Sequence, residues 1–214
     1  MLHQVAVFLV EKRFKSRQEK LQEVAKEWKE AHVYYTELLL ETILTFTVLL
    51  FLSFLLGCAA EALIFSLLFM WFRGNTGGYH TKNAGICMVM TILVSLCASL
   101  SAVYYPRHIM SSHFIISISI LFSLPVIFLF APINHPSLSL TEEEAKQCRR
   151  TSRRLTVVCT ILLITLSIFK MQEQLLISAS LAVLTTALSV LIARILKQEV
   201  SKNETDGNGS KNQI

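Results

Sequence analysis

The feature that most constrains this chain is an almost unbroken apolar run from Leu38 to Phe72. At 1.5 Å per residue, a single helix of this length would extend about 52 Å. The hydrocarbon core of a bilayer is only about 30 Å thick. Because Gly57-Cys58 is a plausible point for one helix to end and another to begin, we expect two short membrane spans, at residues 38–56 and 59–72.

Apolar blocks of similar length continue along the rest of the chain. They predict four further spans, at residues 84–104, 113–131, 155–169 and 175–193. The composition is 53% hydrophobic and 16% charged, whereas a soluble domain carries roughly 25% charged residues. The mean hydropathy is +0.53. The sequence therefore predicts an all-α membrane protein with about six transmembrane helices.

The distribution of positive charge predicts the orientation of these spans. If the N-terminus is inside, the cytoplasmic segments hold seven, two, five and four of the 20 Lys and Arg residues. The outside loops then hold only Arg107 and Lys170. This asymmetry fits the positive-inside rule. A single span over residues 38–72 would move the basic 134–154 loop outside, so the charge pattern also favours the break at Gly57 and places both termini in the cytoplasm.

Three regions are expected along the chain. Residues 1–36 alternate charged and apolar positions at helical spacing, which predicts an amphipathic helix lying on the membrane surface or packed on the protein's own loops. Residues 37–200 form the six-span membrane domain. Residues 201–214 are rich in Ser, Asn, Gly and Lys, which is typical of a disordered tail. Cys58, Cys97 and Cys159 lie in apolar runs and are interpreted as small buried residues.

The polar stretch from Arg73 to Cys87 interrupts the apolar sequence between the second and third spans. It holds four of the five glycines that precede the tail, together with His80. Cys87 is a candidate nucleophile, because Asn83 is a plausible N-cap that would put Cys87 in or near the first turn of a helix. Amide dipoles at a helix start favour the thiolate form of a cysteine, and Lys82 adds positive charge.

His80 is the candidate general base. On one straight helix His80 and Cys87 would be about 10 Å apart along the axis, whereas a base must approach within about 3 Å of the proton it takes. His80 is therefore expected on a loop that turns back over the helix start. Asn75, Asn83 and Glu61 are candidates to orient it. The alternative is a glycine-rich linker with an incidental histidine. No metal or cofactor is indicated, since no second histidine or carboxylate lies within the stretch.

The combination of Arg73, Gly77-Gly78-Tyr79-His80 and Cys87 resembles the signature of the accessory gene regulator B (AgrB) family. Ala131-Pro132-Ile133-Asn134, the chain length and the six-span layout are similar to that family too. The resemblance implies a bacterial multi-pass membrane endopeptidase that cleaves a short propeptide and helps to cyclise it into a thiolactone or lactone quorum-sensing signal. It implies that Cys87 is the nucleophile and His80 its base, with Arg73 and Gly78 as supporting residues.

The basic start of the fifth span suggests where a substrate could bind. Arg149 and Arg150, with Lys82, are candidates to hold an acidic peptide, although lipid headgroups could be their only partners. We expect a short propeptide and the bilayer as partners and no nucleic acid, and a homodimer is compatible with a bundle of short spans. A peptide transporter or exporter, or a non-catalytic membrane scaffold, is the alternative function. The absence of an internal repeat and of a P-loop weighs against a transporter.

Overall fold

The computed structural model describes residues 22–78, 84–104, 111–133, 142–169 and 172–196. These residues form six α-helices and no strand. The helices are α1 (Gln22–Leu55), α2 (Ala59–Thr76), α3 (Ala84–Val103), α4 (Ser112–Phe130), α5 (Glu142–Ile168) and α6 (Glu173–Ile195). The all-α class predicted from the sequence is confirmed for this part of the chain. The predicted tail at 201–214 lies outside the described residues.

The predicted break between the first two spans is present. Helix α1 ends at Leu55, and Gly57 has a φ of 71°. Its position in the turn is one that glycine adopts without steric cost. The amide of Cys58 donates to the carbonyl of Ser53 at 2.9 Å, and α2 begins at the next residue. Burial raises the pKa of the Cys58 thiol.

Two helices extend beyond the predicted spans. Helix α1 joins residues 22–36 of the amphipathic segment to the first predicted span without a break. Helix α5 begins at Glu142, thirteen residues before the predicted fifth span, and runs through it. Neither helix contains Gly or Pro, and each further residue of an established helix adds one backbone hydrogen bond. At about 51 and 40 Å, α1 and α5 are both longer than the hydrocarbon core.

Among the residues that the structure describes, four helices are long and apolar enough to cross a membrane. They are the segments 85–103, 112–130, 143–168 and 173–195. The apolar part of α1, Leu39–Leu55, is shorter. Helix α2 carries Glu61 and Arg73 and is not among the four. Many large apolar side chains are exposed along the bundle, as a surface solvated by lipid requires: Leu121 is 78% exposed and Phe54 74%.

Consecutive helices run in opposite directions, so the bundle has two ends. One end, which we call the glycine end, joins the last residues of α2 and α4 to the start of α3. There the amide of Ile133 donates to the carbonyl of Thr76 at 3.0 Å. The opposite end joins the first residues of α6 to α2 and α3. There the Ser178 hydroxyl donates to the carbonyl of Glu61 at 2.7 Å. The polar halves of α1 and α5 both extend from the glycine end.

Helix α6 is the centre of the bundle and packs against α2, α3, α4 and α5. Its buried face consists mostly of small residues, which allow neighbouring backbones to approach closely. These include Ser178, Ala179, Ser180, Ala182, Thr186, Ala187 and Ala193. Near the glycine end, an apolar cluster joins α2, α4 and α6 through Phe72, Ile127, Ile133 and Val190. This cluster lies where α2 ends and the polar stretch begins.

The predicted burial of three cysteines is correct for two of them. Cys58 and Cys159 are buried, whereas Cys97 is exposed. Cys97 lies on α3 between Leu93 and Ser101, whose side chains are also exposed. That face of α3 points away from the bundle, so an apolar environment for Cys97 has to come from lipid rather than from protein.

Candidate active site

The site is built where α2 ends and α3 begins. Arg73 lies in the last turn of α2, and Cys87 is the fourth residue of α3, as its predicted place in the first turn requires. The Arg73 Nη2 donates to the Cys87 Sγ at 3.6 Å. The guanidinium and the amide dipoles of the helix start both place positive charge near the Cys87 sulfur.

The Arg73 side chain packs against an aromatic ring of the same helix. The guanidinium carbon lies 5.7 Å from the centroid of the Phe69 ring. Phe69 stacks in turn on Phe65, with centroids 5.7 Å apart and an interplanar angle of 22°. Both rings are buried, together with Ala182 of α6. Arg73 therefore lies between the thiol on one side and the apolar core of the bundle on the other.

The two glycines after α2 are packed against other segments. Gly77 has φ 67° and ψ −147°, and Gly78 has φ 142°. A Cβ on Gly77 would lie 2.6 Å from the carbonyl oxygen of Ile133, and one on Gly78 would collide with the Ser189 hydroxyl of α6. Only glycine permits both the backbone angles and this approach. The glycines are thus needed for close packing as well as for conformational freedom.

The remaining candidates occupy different places. His80, Lys82 and Asn83 lie outside the described residues. The Asn75 side chain donates to the carbonyl of Trp71 at 2.8 Å, within its own helix. Glu61 is buried in the first turn of α2, twelve residues before Arg73, and is thus about 18 Å away along the helix axis. The structure does not bring Glu61 to Cys87.

The proposed substrate-binding arginines lie near the start of α5. Arg149 and Arg150 are exposed and belong to the polar part of α5 that extends from the glycine end. Nearby, Arg153 donates from Nη2 to the carbonyl of Phe128 at 2.9 Å, and its guanidinium lies 5.5 Å from the centroid of the Phe128 ring. Arg153 therefore ties α5 to the end of α4, although its side chain is exposed like those of Arg149 and Arg150.

Sequence reasoning missed three residues that shape the site: Phe69, Ile133 and Ser189. Phe69 was one apolar residue among many in the second span. Ile133 belonged to the stretch that resembles the family signature, but nothing local indicated its contact with Gly77. The adjacent glycines were a signal of close backbone approach, although not of the partner. Among the described residues, no three His, Cys, Asp or Glu side chains come together to hold a metal ion.

An all-α bundle with lipid-exposed sides, and with a cysteine and an arginine paired at one end, defines a class: a multi-pass membrane protein with a thiol at its candidate site. The family model for accessory gene regulator B matches residues 4–192. The chain belongs to this family, as its resemblance predicted, and is a multi-pass protein of the bacterial membrane. The family is associated with propeptide processing.

Two curated relatives are similar over part of their length. The chain is 26% identical over 136 residues to AgrB-like protein 2 of Clostridium perfringens strain 13, type A. It is 25% identical over 136 residues to an AgrB-like protein of Clostridium perfringens strain SM101, type A. Each alignment covers 62% of this chain and 64% of the relative, which is less than two thirds of the relative's length. No solved structure matches the chain.

Proposed function

We propose that this protein is a membrane cysteine endopeptidase that cleaves a short autoinducer propeptide and promotes its cyclisation. The observation that carries the proposal is the pairing of Arg73 Nη2 with Cys87 Sγ, 3.6 Å apart, in the first turn of α3. An incidental cysteine in a membrane helix has no reason to lie beside an arginine. A nucleophilic thiol does, because its reactive form is an anion.

In the first step the Cys87 thiolate attacks the carbonyl carbon of the scissile peptide bond. The carbon–sulfur bond forms and the carbon–nitrogen bond breaks. The departing amine takes its proton from His80, which had received it from the thiol. The C-terminal part of the propeptide leaves, and its N-terminal part remains as a thioester on Cys87. Arg73 stabilises the thiolate before this step.

In the second step an internal cysteine or serine of the bound peptide attacks the thioester carbonyl. Its proton passes to His80, the new carbon–sulfur or carbon–oxygen bond closes a thiolactone or lactone, and the Cys87 thiolate is released. A thioester keeps much of the activation of the cleaved bond, so ring closure competes with hydrolysis where water is kept out. The buried rings of Phe69 and Phe65 next to Arg73 are suited to keeping water from one side of the site.

The proposal includes an orientation. Six spans with both termini in the cytoplasm put the glycine end, and with it Arg73 and Cys87, at the cytoplasmic face. The 18 of 20 Lys and Arg residues on that side support this arrangement. In this orientation Arg149, Arg150 and Lys82 form a basic surface for an acidic segment of the propeptide, and residues 37–200 act as the catalytic membrane domain.

A cleavage assay tests the proposal. The wild-type protein and the Cys87→Ala and His80→Ala variants are each purified, placed in liposomes and incubated with the propeptide. Cys97→Ala is the matched control, because it removes a thiol from the same helix on its exposed face. We expect Cys97→Ala to cleave like wild type and the other two variants to lose cleavage by at least about a hundredfold. A thioester adduct trapped on Cys87 supports the first step.

The outcomes separate the candidate functions. Cleavage retained in both site variants refutes the protease assignment. Retention in Cys87→Ala alone places the nucleophile elsewhere. If wild type moves intact propeptide across the liposome without cleaving it, the protein is a transporter. If it binds the propeptide and does neither, it is a scaffold.

A further inference from the structure

The Arg73 guanidinium lies between the Cys87 sulfur and the Phe69 ring. On one side Nη2 contacts the Cys87 sulfur at 3.6 Å, and on the other the guanidinium carbon is 5.7 Å from the centroid of Phe69. Phe69 is only 5% exposed and Phe65, stacked behind it, is fully buried. The ring therefore has little freedom to move away from the cation.

We propose that Phe69 is a positioning residue: its ring holds the Arg73 guanidinium against the Cys87 sulfur and thereby increases the thiolate fraction of the nucleophile. This inference rests on the proposed function only in taking Cys87 as the nucleophile. In this role Phe69 acts through Arg73 rather than on the thiol itself. The sequence motif that includes Arg73 and Cys87 does not include Phe69.

The physical argument concerns geometry and environment. An arginine side chain is long and loses much rotamer freedom when it is fixed in one place. An aromatic face attracts the cation and matches its flat shape, so it selects one arrangement. The ring also replaces water on one face of the guanidinium, which strengthens the attraction between the cation and a thiolate. Leucine at this position would fill part of the space but would offer no ring face.

Other charges near the nucleophile have to be considered. Two further helices pack on α3. Helix α1 carries Glu37 and Glu41, and helix α6 carries Arg194 in its last turn. His80 and Lys82 are close to Cys87 in sequence. Substitution of Phe69 by another apolar or aromatic residue changes none of these charges, so a shift in the titration of Cys87 reports on the position of Arg73.

The test measures the alkylation rate of Cys87 against pH in the full-length protein in liposomes, with modification at Cys87 followed by mass spectrometry. We expect Phe69→Leu to move the midpoint of this profile upward by about half a pH unit to one pH unit. At a fixed pH below the midpoint, the alkylation rate should then be about three- to tenfold lower. Phe69→Tyr keeps the ring face and should restore the wild-type profile. Phe72→Leu is the matched control, since Phe72 is equally buried on α2 but packs with Ile127 and Ile133.

A double-variant comparison removes the ambiguity of misfolding. In an Arg73→Gln background, Phe69→Leu should move the midpoint no further, because no guanidinium remains to be positioned. An unchanged profile in Phe69→Leu, an equal shift in Phe72→Leu, loss of the wild-type profile in Phe69→Tyr, or additive shifts in the double variant would each overturn the inference.

The profile is read without propeptide, so the two proposals fail separately. If Cys87→Ala still cleaves while Phe69→Leu shifts the profile, the protease assignment fails and the positioning role stands. If cleavage requires Cys87 but Phe69→Leu titrates like wild type, the positioning role fails and the protease assignment stands.

Discussion

Gly77 is the position at which a single methyl group should have the largest effect. Its φ of 67° and ψ of −147° belong to a region that is essentially restricted to glycine. A Cβ there would lie 2.6 Å from the carbonyl oxygen of Ile133. That oxygen is part of the backbone and cannot rotate away as the end of a side chain could. The Gly77→Ala variant must therefore change the path of the chain as it leaves α2.

The magnitude follows from two contributions. The backbone conformation costs about 1–3 kcal/mol for a residue with a Cβ. Forcing an extra carbon into a packed site typically costs about 1–3 kcal/mol more. The total of about 2–6 kcal/mol, at tenfold per about 1.4 kcal/mol, implies that the native path of this loop is depopulated by tenfold or more. Cleavage should fall by a similar factor, since the loop leads directly toward His80.

Two other glycines are matched controls. A Cβ on Gly74 meets nothing within 4 Å, and Gly74 lies in the last turn of helix α2, where alanine is favoured by up to about 1 kcal/mol. Gly57 has a φ of 71° but open space around it, so Gly57→Ala should cost only about 1–2 kcal/mol. It lies at the end opposite Cys87, and cleavage by the folded protein should stay near wild type.

The assay combines two measurements on each variant. The first is the fraction of purified protein that stays monodisperse in detergent after heating, and the second is the rate of propeptide cleavage in liposomes. We expect the order of heat stability to be Gly74→Ala at or above wild type, then Gly57→Ala, then Gly77→Ala. If Gly77→Ala matches Gly74→Ala in both measurements, the contact with Ile133 does not constrain this loop and the reasoning is wrong.

Three further outcomes are expected. Cys87 should be alkylated at least several times faster than Cys97 near neutral pH, because Arg73 lies beside its sulfur; equal rates measured by mass spectrometry would contradict an activated thiol. Glu61→Gln should leave cleavage within about twofold of wild type, since Glu61 is about 18 Å from the site along α2; a loss of tenfold or more would show that this carboxylate is coupled to catalysis. Arg153→Ala should lower the free energy of unfolding by about 0.5–2 kcal/mol through loss of its hydrogen bond and ring contact with the end of α4. Arg154→Ala is the matched control, because Arg154 is the equally exposed neighbour, and it should have little effect.

Much of the fold was accessible from the sequence because its determinants are local. Apolar block length and the position of Gly57 predicted where helices would lie and where α1 would end. The full extent of each helix was harder to predict. The change from polar to apolar composition near residue 36 does not end α1, because backbone hydrogen bonding continues regardless of which solvent surrounds the side chains.

The site was predictable only in part for a similar reason. Placing Cys87 in the first turn of a helix needed no more than the positions of Asn83 and the apolar run that follows it. The contacts of Gly77 with Ile133 and of Gly78 with Ser189 join residues that are far apart in sequence. Such contacts depend on how whole helices pack, and one sequence carries no direct record of them. Glu61 was a candidate on charge alone, and the length of α2 separates it from the thiol.

The hydrogen bond from the amide of Ile133 to the carbonyl of Thr76 has a mechanical consequence. It joins the segments that follow α2 and α4. In the same region, the hydrogen bond from Arg153 joins the end of α4 to α5. The segment leading out of α2 therefore cannot swing aside like an independent flap to admit a peptide. A substrate that enters from this side has to displace the end of α4 as well. Any widening of the glycine end therefore involves α2, α4 and α5 together.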